Sequence, residues 1–116
     1  MAFVLMLLGG VNASAEEVAY KTLTFNRVGP NVSDYTTKWT ATIGNDNWSI
    51  VNFNNNNWND WNYIRCGSKK GASVASITTS FSIDKPISSV VVTIDKVTAE
   101  NVNSTKLYVS TTADFS

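Results

Sequence analysis

Along most of the chain apolar and polar positions alternate with a period of two, the signature of strands that bury one face. In residues 20–25 (YKTLTF), Leu23 and Phe25 share a face, and Val28, Gly29, Pro30 and Asn31 then break the run. Residues 39–43 (WTATI) alternate again and meet Gly44, Asn45, Asp46 and Asn47, residue types that tolerate turn conformations. Residues 48–53 (WSIVNF) resume the alternation, which predicts a β-hairpin with Trp48 and Phe53 in the core. The four consecutive amides 54–57 carry no apolar surface for a core and predict a loop.

Further strands are expected over residues 61–66 and 74–83, separated by the turn residues 67–71; in the second of them Ile77, Phe81 and Ile83 point inward. Asp84, Lys85 and Pro86 turn the chain, because proline fixes φ and lacks a ladder donor. Residues 87–97 contain VVVTI, the most apolar run after the first fifteen residues, and read as a central strand. Residues 106–110 (KLYVS) read as the last strand. The expected core is Leu23, Ile77, Val91, Ile94 and Leu107. About seven short strands joined by polar turns predict an all-β fold, an antiparallel β-sandwich of jelly-roll type. Jelly rolls use eight strands, so the domain is expected to continue past Ser116 as part of a larger polypeptide.

The N-terminus departs from this pattern. Residues 1–8 (MAFVLMLL) are almost wholly apolar, Ala13, Ser14 and Ala15 fit a small-x-small cleavage signature, and Glu16 and Glu17 open a polar chain. Residues 1–15 are therefore expected to be a secretory signal peptide and residues 16–116 the exported domain, secreted or at the cell surface. No Lys or Arg opens the segment, and the alternative is a buried N-terminal strand or helix. The apolar run is far shorter than the roughly 20 residues of a spanning helix, so no membrane span is expected.

Composition narrows the functional classes. Lys plus Arg and Asp plus Glu number nine each, and this balance removes the electrostatic case for nucleic acid. The chain has no histidine and one cysteine, Cys66, which excludes Ser-His-Asp and Cys-His catalysis and any intramolecular disulfide. Cys66 reads as a small apolar filler. The acidic residues are scattered and mostly occupy turns, so no catalytic residues are assigned and the module is expected to be non-catalytic.

One segment concentrates recognition chemistry. Trp58 and Trp61, with Asn56, Asn57, Asn59 and Asp60, combine flat apolar faces with amide and carboxylate groups that hydrogen-bond hydroxyls, as sugar binding requires. Trp61 also fits a core position beside a strand. Asn45, Asp46 and Asn47, or Asn57, Asn59 and Asp60, offer hard oxygen ligands for a structural calcium ion, though neither has EF-hand spacing.

The motifs YIRCGSK (63–69), ASVASITT (72–79), IDKPI (83–87), VVTID (91–95) and VNSTKLYVS (102–110) resemble a β-sandwich module of secreted and surface proteins of gut Bacteroidales. The likeness covers residues 61–115, about half the chain, and its layout is similar to galactose-binding-domain-like jelly rolls, whose members often recognise sugars. It implies a fold and an exported setting and carries no site residue. The expected function is thus a non-catalytic exported module that binds carbohydrate or adheres, with glycans as partners. The alternative is a structural spacer of a larger surface protein with no ligand of its own.

Overall fold

The computed structural model describes residues 3–9, 18–56, 61–67, 74–98 and 106–111. The described residues form eight strands and no helix, all pairings being antiparallel. They are β1 (Phe3–Gly9), β2 (Val18–Thr24), β3 (Lys38–Ile43), β4 (Asp46–Val51), β5 (Phe53–Asn54), β6 (Arg65–Cys66), β7 (Ser76–Thr79) and β8 (Ser89–Ile94). These make three sheets with orders β2-β1-β8, β3-β4-β7 and β5-β6. Among the described residues no helix is long and apolar enough to cross a membrane.

The predicted hairpin is β3–β4, with Lys38 opposite Val51 and Ile43 opposite Asp46. Gly44 at φ 61° and Asn45 make the turn, so Asp46 and Asn47 already belong to the ladder. Period two works cleanly here: Trp39 and Ala41 on β3 and Trp48 and Ile50 on β4 are buried, while their exposed or half-buried neighbours face outward. These four join Leu23, Phe25, Val32, Phe53 and Ile64 in one core, against which Ile77, Phe81, Val90 and Val92 pack from the side. An edge-to-face contact of Phe25 with Trp39 links the end of β2 to β3, and one of Trp48 with Phe81 packs the residues that follow β7 onto β4.

Asn52, at φ 61°, breaks the chain between β4 and β5; asparagine tolerates this left-handed conformation better than most side chains. Its backbone N–H donates to Thr37 O at 3.0 Å and its amide to Val74 O at 2.8 Å. The polar run that follows departs from the loop expectation. Asn54 and Asn55 are 5% and 2% exposed, and Asn54 lies in β5. Asn55 is interior because its amide replaces backbone partners: Oδ1 accepts from Val32 N–H at 2.8 Å, and Nδ2 donates to Val28 O at 3.0 Å and Pro30 O at 2.7 Å. Its own N–H, like that of Asn56, donates to Val32 O at 3.0 Å. Residues 28–32, which lie in no strand, are thereby tied to the core by the Asn55 side chain together with the backbone N–H groups of Asn55 and Asn56.

Several expected strands are shorter or absent. Of residues 61–66 only Arg65–Cys66 is strand, and of 74–83 only Ser76–Thr79. Val91 and Ile94 are 43% and 37% exposed, and Ile83 is also exposed. The apolar run 90–94 is not central: among the described residues it lies on the margin in the order β2-β1-β8, and Val91, Thr93 and Ile94 are exposed. Residues 106–111 belong to no strand, and Leu107 is 55% exposed. Of the expected core, Leu23 is buried and Ile77 half-buried, whereas Val91, Ile94 and Leu107 lie outside it.

Candidate functional site

Trp61, Tyr63 and Arg65 alternate with Asn62, Ile64 and Cys66 in the segment entering β6. Ile64 is 1% exposed and belongs to the core, so it anchors the segment from below. Phe53 opposite Cys66 and Asn54 opposite Arg65 fix its register on β5. With Ile64 and Cys66 so held and Asn62 exposed, the side chains of Trp61, Tyr63 and Arg65 meet one another.

Their geometry is a compact stack. The rings of Trp61 and Tyr63 lie 5.1 Å apart at 23°, and the Arg65 guanidinium carbon stands 4.0 Å from the Trp61 centroid and 5.1 Å from that of Tyr63. Arg65 Nη2 donates to Tyr63 Oη at 2.7 Å. All three are half-buried. A cation over an aromatic face at this depth contributes about 1 kcal/mol, which with the bond to Tyr63 favours the guanidinium's place beside the rings. Arg65 is paired across the ladder with Asn54, whose Nδ2 donates to Ser33 O at 2.9 Å and whose buried Oδ1 has no hydrogen-bond partner among the described residues.

Of the residues expected to bind a ligand, Trp61 joins this stack. Asn56 is half-buried at φ 27°, its N–H engaged with Val32 O. Trp58, Asn57, Asn59 and Asp60 lie outside the described residues. Tyr63 and Arg65 were not in the expected set. Their signal in the sequence is the i, i+2, i+4 spacing Trp-x-Tyr-x-Arg around an apolar isoleucine, and the structure brings the three together across a bend at Asn62 and Tyr63 rather than along a continuous strand.

Of the candidate oxygens in the β3–β4 turn, those of Asp46 and Asn47 hold strands together, while Asn45 is exposed. Asp46 accepts from Lys21 of β2, and Asn47 Oδ1 accepts from Thr42 Oγ1 at 2.8 Å, so this turn spends its ligand-type groups on the hairpin and on β2. Among the described residues no group of three or more His, Cys, Asp or Glu side chains is placed to hold a metal ion. Lys21 Nζ also lies 5.1 Å from the Phe81 ring, and Tyr20 donates its hydroxyl proton to Asp84. That hydrogen bond raises the Tyr20 pKa and lowers that of Asp84; the bond to Asp46 raises that of Lys21. Cys66 is half-buried against the core, and burial pushes its thiol up to about 11, so it is a poor nucleophile.

No protein-family model, curated protein or solved structure matches the chain.

Proposed function

We propose that this chain is an exported, non-catalytic β-sandwich module of jelly-roll type that binds carbohydrate through the Trp61–Tyr63–Arg65 stack. A core shared by all three sheets supports the sandwich, and the likeness of residues 61–115 to galactose-binding-like modules supports the ligand class. The observation that carries the reading is the stack itself. Half-buried aromatic rings offer apolar area to the C–H faces of a sugar, and a guanidinium placed beside them donates to its hydroxyls. The adjoining residues 57–60 add Trp58 and further amide groups in sequence.

Titration of plant and host glycans with tryptophan fluorescence as readout tests the proposal. A saturable change is expected, weakened about tenfold or more by Arg65→Ala, Trp61→Ala or Trp58→Ala. No response across a broad glycan panel, in protein whose thermal unfolding is cooperative, rejects it.

One observation favours the second reading, a spacer without a ligand. The Trp61 and Tyr63 rings already stack on each other and carry Arg65, which satisfies them without any guest. On that reading Trp61→Ala lowers stability, no glycan alters fluorescence, and deleting the module leaves neighbouring activities on soluble substrates intact.

A further inference from the structure

Two observations that concern opposite ends of the chain fit one another. The first is that β1, the middle strand of the β2-β1-β8 sheet, lies within residues 1–15, the segment whose sequence reads as a cleaved leader. The second is that residues 106–110, strand-like in sequence, lie in no strand, with Leu107, Tyr108 and Val109 exposed at 55%, 68% and 65%. We propose that β1 holds a slot that belongs to residues 106–110, and that these residues enter between β2 and β8 once the leader is removed. The proposal rests on the export reading.

The slot requires a strand antiparallel to both neighbours. In the present register Val4 pairs with Thr24 and Thr93, Leu5 with Leu23 and Val92, Met6 with Thr22 and Val91, and Leu7 with Lys21 and Val90. Cleavage after Ala15 would strip β2 and β8 of this shared partner and leave two unpaired ladders beside exposed Val91 and Ile94. Such edges are costly and prone to association.

Residues 106–110 meet the requirements of direction, connection and pattern. β1 starts beside Ile94, the end of β8, so a strand that follows β8 antiparallel to it runs in the direction of β1, and the eleven residues 95–105 are long enough in sequence to connect them. Read in the direction of β1, Leu107 takes the position of Leu5 opposite Leu23 and Val92, and Val109 that of Leu7 opposite Val90 and the half-buried Lys21, whose ammonium reaches out to Asp46. Leu23 is fully buried and Val90 and Val92 pack on the core, so this face is the inner one. Lys106 and Tyr108 then fall opposite Thr24, Thr93, Thr22 and Val91, all exposed in the present fold. Two apolar side chains go in, a lysine and a tyrosine stay out, and Tyr108 covers Val91.

Expression of the full chain in an exporting host, with mass spectrometry of the product and residue-resolved amide hydrogen exchange, tests this. The expected product begins at Glu16, and its 107–109 amides exchange on the order of 100-fold more slowly than in the unexported chain, as ladder amides do. Val109→Pro, which removes a ladder donor, abolishes that protection; should this variant fail to fold, exchange in the unsubstituted exported chain decides alone. A product beginning at Glu16 whose 107–109 amides exchange freely overturns the slot proposal and leaves the leader reading standing. A product that retains residues 3–9 overturns both.

Discussion

Strands β4 and β8 have the same length and opposite fates. β4 (DNWSIV) contains two polar residues and a serine, yet buries Trp48 to 2% and Ile50 to 0% exposure. β8 (SVVVTI) has one apolar residue more, including three consecutive valines, yet leaves Val91 and Ile94 in solvent. The difference lies in their neighbours. β4 is the middle strand between β3 and β7, with Phe81 on its Trp48 ring, whereas among the described residues β8 has β1 on one side only. Apolar content sets what a strand would gain from cover, and topology decides whether cover is there.

Substitutions sharpen the contrast. Trp48→Ala should cost about 3–5 kcal/mol in urea unfolding, the usual range for truncating a buried large aromatic. If it costs no more than truncation on β8, the comparison fails. Asn55→Ala comes next, at about 2–3 kcal/mol, because it leaves the N–H of Val32 and the carbonyls of Val28 and Pro30 without their partner. Gly29→Ala should cost about 1–2 kcal/mol: φ is +82°, and a Cβ there would sit 2.7 Å from Cζ3 of the Trp39 ring. Val91→Ser should change stability by about 0.5 kcal/mol or less, since its side chain already meets water.

The smallest expected effects are those of pH. Backbone and hydroxyl hydrogen bonds from Thr36 and Thr37 hold the Asp34 carboxyl below its ordinary 3.8, and Tyr20 does the same for Asp84. Their contributions are complete above the unfolded values and vanish as pH falls through the lowered ones. Lys21 and Tyr20 lie above their ordinary 10.5 and 10.0, so their contributions are complete below those values and vanish as pH rises through the raised ones. Urea midpoints should therefore form a plateau between the two limbs, and Asp34→Ala should make the acid limb shallower while leaving the alkaline one in place.

The parts of the fold legible in the sequence are those where one side chain's character settles its own position. Trp39, Ala41, Trp48 and Ile50 are each buried as the alternation requires, whereas Phe53 is out of phase with Trp48 and Ile50 and turns inward only because the chain breaks at Asn52. Legibility fails where position depends on a distant partner. The amides of 54–57 look like loop because Asn55 carries no apolar surface, and nothing local shows that its three side-chain hydrogen bonds replace a missing ladder for residues 28–32. Val91 and Leu107 look like core because they sit in β-branched or aromatic runs, but the sheet neighbours that would enclose them are not encoded nearby. The site divides in the same way. Trp61 stands out by type, whereas Tyr63 and Arg65 acquire meaning only from the register that Ile64 and Cys66 impose.

The arrangement around Asn55 bears on how this protein ages. Spontaneous loss of the amide, the ordinary hydrolytic fate of asparagine, would set a carboxylate against the carbonyl oxygens of Val28 and Pro30, now 3.0 and 2.7 Å from a donor nitrogen. Two attractions would become two repulsions inside the core, and residues 28–32 would come loose from Trp39 and its neighbours. Burial slows that chemistry by keeping water and backbone freedom away, so the lifetime of the folded domain and the intactness of this one amide protect each other.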